Sequence, residues 1–181
     1  MVSIIADGNA LASSTAQTSL LTGSASDGVW TLPANQLARG TEIRIRAAGK
    51  MGTLVTSPGT LAFTVKVGSV NACVSPAFAL NTTAQTNATW IVDVVITART
   101  IGSGTSATLL HIGTFTTRAG VGNNAVATSG VFSQPWPDTA PAVGTGFDST
   151  TAQAIDFQAQ WNTNSASNTI TLQQYSLILC N

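Results

Sequence analysis

Residues 29–47, VWTLPANQLARGTEIRIRA, carry the clearest indication of the fold. After the turn residues PANQL and an Arg-Gly corner, charged and apolar side chains alternate strictly, in the order Glu42, Ile43, Arg44, Ile45, Arg46, Ala47. A period of two is what a β-strand requires when one face lies on a core and the other in solvent. The stretch therefore predicts a half-buried antiparallel strand with its charged side chains on the outer face.

Similar patterns recur along the chain. LAFTVKV (61–67) and AIDFQAQWN (154–162) alternate in the same way, whereas TWIVDVVITART (89–100) is apolar on both faces except at Asp93 and predicts a central strand. Segments 106–118 and 168–180 predict two further strands. No helical period is sustained, and about eight to ten strands are predicted. We therefore expect an all-β chain that forms one antiparallel β-sandwich of the jelly-roll type.

The domain organisation follows from the chain length and from the distribution of these strands. At 181 residues the chain fits a single domain. Residues 1–10 predict a short N-terminal arm, and residues 11–181 predict the sandwich itself. Periodicity is lost between about 119 and 151, which predicts a long loop, and loops of more than roughly 12 to 15 residues are usually functional or disordered.

Trp136 is the most informative residue of that loop, since it stands between Pro135 and Pro137. Two interpretations are open. The indole could fold back onto the domain's own core as a plug. Alternatively it could anchor a protein interface, where Trp is enriched and where flanking prolines limit the entropy lost on binding.

The composition is unusual in its low charge. Charged residues make up 8% of the chain, against about 25% in a typical globular protein. The seven basic and seven acidic residues balance, so no basic surface for nucleic acid is expected. A surface of hydroxyls and amides costs little free energy to desolvate, and this favours packing against many neighbours.

Nothing in the sequence predicts export or membrane insertion. The N-terminal MVSIIADGNALASS lacks the basic region of a secretory signal, and no stretch reaches the roughly 18 apolar residues of a membrane span. We therefore expect synthesis in the cytoplasm of the producing cell. In that reducing compartment Cys73 and Cys180 are predicted to be two separate thiols rather than a disulfide.

The residues that carry chemistry are sparse. His111, the sole histidine, has no Cys, Asp or Glu at ligand spacing, which favours a structural role over metal binding. There is no G-x-S-x-G motif, and no local pattern holds two carboxylates together as a glycosidase requires. Asp93 in a central strand predicts a structural ion pair or a subunit contact, with Arg44, Arg46 or Arg99 as the available cations. We therefore predict no catalytic residue, no metal ligand and no cofactor.

Four blocks of the sequence carry a resemblance. They are ASSTAQTSLL (12–21), W-x-L-P-A-N-x-L-x-x-G-T-x-I-R-I-R-A-x-G (30–49), L-x-F-x-V-K-V-G (61–68) and W-x-x-D-V-V-I-T-A-R-T (90–100). Together they resemble small jelly-roll virion proteins of tailed bacteriophages. The resemblance covers roughly residues 11 to 118 and the last strand, and it does not include the Pro-Trp-Pro loop.

This resemblance implies a non-enzymatic structural protein, a homotrimer attached to a virion that is assembled in the cytoplasm of its bacterial host. As a capsid decoration, or cement, protein it would bind the major capsid protein on the outer surface of the head and stabilise the shell. The alternative is a tail-associated or tail-fibre, receptor-binding module, although the chain has no long fibrous or coiled-coil region. A carbohydrate-binding or hydrolytic jelly roll would need a concave aromatic face, and only 6% of the residues are aromatic.

The contacts with partners are expected in the arm, in the long loop and on the charged strand face, with neither nucleic acid nor membrane as a partner. Arm and loop both carry apolar residues without evident local partners. The candidate interface residues are Val2, Ile4, Ile5, Glu42, Arg44, Arg46, Phe132, Pro135, Trp136 and Pro137.

Overall fold

The computed structural model describes residues 1–21, 28–121 and 131–180, and over these ranges the chain forms strands joined by turns and loops. The strands are β1 (Val2–Ser3), β2 (Ala10–Ala12), β3 (Thr18–Ser19), β4 (Trp30–Leu32), β5 (Glu42–Thr53), β6 (Thr60–Val67), β7 (Val70–Val74), β8 (Phe78–Ala79), β9 (Gln85–Thr100), β10 (Thr108–Thr117), β11 (Phe132–Trp136), β12 (Gln153–Trp161) and β13 (Thr169–Cys180).

The strands form two antiparallel sheets that pack into a sandwich. The larger sheet has the order β1-β13-β5-β9-β10-β11, with β2 also paired to β13. The smaller sheet has the order β3-β12-β6-β7, with β4 paired to β12 and β8 to β6. The all-β, two-sheet expectation is confirmed, and β9 is a central strand as predicted. Short strands such as β3 and β4, which pair with the same partner, account for the higher strand count.

The core lies between the two sheets, and its position follows from the alternation in the sequence. Ile43 and Ile45 of β5 are buried while Arg44 and Arg46 are exposed. The inward residues expected on β6 and β12 are also buried: Leu61, Phe63, Val65, Val67, Ile155, Phe157, Ala159 and Trp161. Burial of these side chains removes apolar surface from water and is the main force that holds the sheets together.

Strand β5 is longer than the sequence predicted. The alternation of charged and apolar residues covers only residues 42–47, yet β5 continues through two glycines to Thr53. The glycines serve close approach between strands here, since a Cβ on Gly49 would lie 2.0 Å from the carbonyl oxygen of Thr171. The neighbouring strand β13 has a register shift between Leu172 and Gln174 at this point, which is the kind of irregularity that glycine accommodates.

The predicted loop over 119–151 is only partly irregular, and this corrects the expectation. Strand β11 lies within it and pairs with β10 at the edge of the larger sheet. Proline is tolerated in an edge strand because one side of that strand needs no hydrogen-bond donor, which explains how Pro135 can belong to β11. Residues 122–130 of the predicted loop lie outside the described part of the chain.

Residues 137–147 close one side of the sandwich. The backbone N–H of Gly144 donates to the carbonyl of Leu109 at 2.9 Å, and a Cβ on Gly144 would lie 1.8 Å from the carbonyl oxygen of Ala72. The segment therefore lies against β10 of one sheet and β7 of the other. Its close contact with the backbone of β7 requires glycine at position 144.

The N-terminal arm lies along the edge of the larger sheet. Val2 pairs with Leu177 of β13, and the N–H of Gly8 donates to the carbonyl of Leu172 at 2.9 Å. Val2 and Ile4 are half-buried against the core. The arm thus covers a strand edge that would otherwise expose unpaired backbone groups.

Candidate interaction surface

The larger sheet has one side on the core and the other side open, and we call the open side the outer face. It consists of the outward-pointing residues of β13, β5, β9, β10 and β11. Strand register arranges them in rows, one of which reads Ile178, Arg44, Val95, Ile112 across four strands. The adjacent row reads Ser176, Arg46, Asp93, Thr114, Pro135. The face therefore mixes exposed aliphatic side chains with charged ones.

Glu42 and Arg44 form an ion pair within β5, with Arg44 Nη2 at 2.9 Å from Glu42 Oε2. The hydrogen bond from this guanidinium to Glu42 raises the pKa of Arg44. Among the described residues no other acidic and basic side chains approach within the 4.0 Å of an ion pair. Because both groups are exposed, solvent screens the pair and it contributes little to the stability of the fold.

Asp93 lies on the outer face and not in the core. It stands opposite Arg46 on β5 and Thr114 on β10, and it is exposed. The sequence suggested a costly position that required a paired cation, because β9 is central and apolar on both sides. The structure removes that requirement: the strand is central in its sheet, but no second layer of the described residues covers its outer side.

The candidate interface residues divide into those that reach the surface and those that do not. Glu42, Arg44, Arg46 and Pro135 all lie on the outer face, and register places Arg46 and Pro135 in one row. In the arm, Ile5 is 83% exposed. Val2 and Ile4 instead pack partly against the core of their own chain.

Trp136 is a core residue, which corrects its assignment as an interface anchor. Its side chain is 0% exposed and stacks on Phe63, with ring centroids 6.3 Å apart. Phe132 also points inward, edge-on to Phe115 at 6.3 Å, and Pro137 is half-buried beside a cavity. The alternation of β11 explains this arrangement, since Phe132, Gln134 and Trp136 share its inner face.

His111 lies on the inner face of β10, beside Trp136 at a ring-centroid distance of 5.8 Å. It is 7% exposed, and neither ring nitrogen has a hydrogen-bond partner among the residues that the structure describes. It borders a cavity of about 210 Å³ together with Val74, Pro137 and Gly144. Burial lowers the pKa of His111, and the backbone of Val74 acts in the opposite direction without a well-formed hydrogen bond.

We expect the free energy of unfolding to fall as the pH drops below about 6.5, the ordinary pKa of histidine in an unfolded chain. Below that pH the imidazole is protonated in the unfolded chain but stays neutral in the folded protein. The free energy of unfolding therefore continues to fall until the pH reaches the lower pKa that His111 has in the folded state. The slope contributed by one histidine is at most about 1.4 kcal/mol per pH unit. Urea denaturation between pH 7 and pH 5 measures it.

Since His111 is the only histidine, the variant His111→Leu serves as a direct control. It should remove the pH dependence in this window. An unchanged slope in the variant, or an imidazole that titrates at its ordinary pKa by NMR, would contradict a buried neutral His111.

The two cysteines are both free, as the sequence predicted. Cys73 lies on β7 of the smaller sheet and Cys180 at the end of β13 in the larger sheet. Burial raises the pKa of the Cys73 thiol to about 12, whereas Cys180 is half-buried. Only the thiolate is nucleophilic, so the two thiols should differ strongly in reactivity.

We therefore expect one thiol of the folded protein to react quickly with Ellman's reagent at pH 8, and two after denaturation. The Cys180→Ser variant should lose the fast reaction and keep one thiol under denaturing conditions. Two fast thiols in the folded wild type, or none after denaturation without reductant, would contradict this assignment.

The described residues offer little for metal or carboxylate chemistry. No three His, Cys, Asp or Glu side chains among them are grouped as a metal site would require. Four surface depressions contain at most one acidic side chain each, Asp7 in one of them. In the same part of the chain, no helix has the length and apolar character needed to cross a membrane.

Sequence reasoning missed the apolar half of the outer face. Ile112 is 55% exposed and Ile178 39%. Their outward orientation could be read from the alternation around LLHIG and YSLILC, but their proximity to Arg44 could not, because it depends on strand order. Comparisons with protein-family models, with curated proteins and with solved structures find no match to this chain.

Proposed function

We propose that this chain is a non-enzymatic structural protein of a bacteriophage virion, and specifically a capsid decoration protein that binds the outside of the head. The observation that carries the proposal is the outer face. It is a broad sheet surface supported by a packed core, and exposed aliphatic and charged side chains lie side by side on it. The sequence resemblance to phage virion proteins points the same way. A rigid sheet that presents such side chains is suited to adhesion.

The order of the strands supports a jelly roll, which belongs to this proposal. Four antiparallel pairs are nested in the sequence: β2 with β13, β3 and β4 with β12, β5 with β9, and β6 with β7. Successive pairs alternate between the larger and the smaller sheet. This is the path of a long hairpin wrapped around a core, with the β10–β11 hairpin added between β9 and β12.

Decoration makes physical sense for a surface of low charge. Each contact with the shell is modest, but a homotrimer that binds the major capsid protein at several points would gain strength through effective concentration. Many such trimers would hold neighbouring subunits of the shell together. The neutral overall charge also reduces repulsion between copies that sit close to one another.

Immunogold electron microscopy on gradient-purified virions of the phage that encodes this chain tests the proposal. Label distributed over the head in many copies is the expected result. Label confined to the tail would overturn decoration in favour of a tail-associated module, and absence from the particle would overturn both. Virions from which this gene is deleted provide the control for antibody specificity.

A further inference from the structure

Charge is strongly segregated in this neutral protein. By strand alternation, five of the seven basic residues point to the outer face or its margin. They are Arg44, Arg46, Lys50, Arg99 and Arg118. Three acidic residues accompany them: Glu42 and Asp93 on the strands, and Asp7, which borders a surface depression together with Lys50. This side therefore has a net formal charge of +2 within a chain whose net charge is zero.

Most of these cations are not used by their own chain. Arg44 pairs with Glu42, and Arg118 donates to the carbonyl of Thr86 at 3.2 Å. Among the described residues, no acidic side chain lies within ion-pair distance of Arg46, Lys50 or Arg99. These three carry positive charge that remains available to a partner.

Two acidic residues of the described chain that lie away from the outer face are, by contrast, occupied within the chain. Asp156 accepts hydrogen bonds from Ser19 at 2.6 Å and from Gln158 at 2.6 Å. Asp148 accepts from the hydroxyl of Thr150 at 2.6 Å. These carboxylates lie on different sides of the molecule and form no patch that could complement the outer face of a second copy. Two outer faces against each other would also bring like charges together.

Exposed aliphatic side chains flank the charged central strands of the outer face. Ile112 and Ile178 are exposed at the two ends of the row that contains Arg44 and Val95. The outward positions of β5, β9, β10 and β13 hold no aromatic side chain. Arginine side chains next to exposed apolar ones suit a protein interface, where Arg is enriched, whereas binding of single-stranded nucleic acid relies on aromatic stacking.

We propose that the outer face is the docking surface for another protein whose contact patch has Asp and Glu side chains between apolar ones. This inference rests on the proposed function, and it names the surface of the chain that meets the virion protein. Ile112 and Ile178 are buried on docking, and the free guanidinium and ammonium groups meet carboxylates of the partner. The smaller sheet then faces away from the shell.

Add-back binding to purified virions that lack this chain tests the proposal, with the fraction of protein that cosediments measured against concentration. Arg46→Gln and Lys66→Gln each remove one positive charge, but Lys66 lies on β6 of the smaller sheet. Ile112→Ser and Val55→Ser each remove an exposed aliphatic side chain, 55% and 54% exposed respectively. In both pairs only the first variant changes the outer face.

We expect Arg46→Gln and Ile112→Ser each to raise the dissociation constant at least tenfold, while Lys66→Gln and Val55→Ser change it less than threefold. Circular dichroism confirms that each variant is folded. If Arg46→Gln and Ile112→Ser both bind as tightly as the wild type, this inference is wrong and the proposed function is unaffected. No binding by the wild type would overturn both. Binding of the wild type to a short DNA duplex, lost in Arg46→Gln, would assign the face to nucleic acid instead.

Discussion

Replacement of Phe63 by alanine is expected to lower the free energy of unfolding by about 3–5 kcal/mol, the range observed when a buried Phe is truncated. Phe63 is 0% exposed and lies at the centre of the core. Its ring stacks on Phe157 at 5.5 Å and 11°. Across the sandwich it contacts Trp90 at 5.6 Å and Phe115 at 5.2 Å. The alanine variant would leave a cavity between the two sheets.

The size of this loss matters because a domain is stable by only about 5–15 kcal/mol in total. Guanidinium denaturation followed by tryptophan fluorescence measures it. Phe132→Ala is the matched control: that ring is half-buried and contacts the core at its edge, so its loss should be no more than half as large. Equal effects for the two variants would show that Phe63 is not the centre of the core.

Replacement of Trp136 by alanine is expected to have a comparable effect, about 3–5 kcal/mol. The indole is fully buried between Phe63 and His111. It also lies directly before residues 137–147, which close the side of the sandwich. Its removal should therefore destabilise the fold and loosen that segment, which hydrogen exchange at Gly144 would report.

Two variants separate packing from surface contact at this site. Trp136→Phe keeps an aromatic ring and removes an indole N–H that has no hydrogen-bond partner in the described part of the chain, so it should lower the free energy of unfolding much less than alanine does. Pro135→Ala alters the exposed neighbour on the outer face and should leave stability within about 0.5 kcal/mol. If Trp136→Ala keeps wild-type stability but binds its protein partner more weakly, the indole is an interface anchor and not a core residue.

The two interpretations of Trp136 show where sequence reasoning reached its limit. The sequence QPWP contains a rigid aromatic residue, and either a core or a partner could bury it. Which of them does so depends on the strand that lies next to it. The prolines also concealed strand β11. Proline has no backbone N–H to donate and is therefore unfavourable in a central strand, but an edge strand tolerates it.

Except for strand β11, the sequence by itself determined the inward and outward faces of the long strands, because alternation is a property of the extended backbone and needs no knowledge of neighbours. It thus placed Ile43 and Ile45 in the core and Arg44 and Arg46 in solvent. Only the tertiary structure decided that Ile112, Ile178 and Arg44 share one row, that Asp93 is exposed and that Trp136 is a plug. These facts depend on pairing between residues far apart in the chain, and that pairing is set by the packing of the whole core rather than by any local pattern.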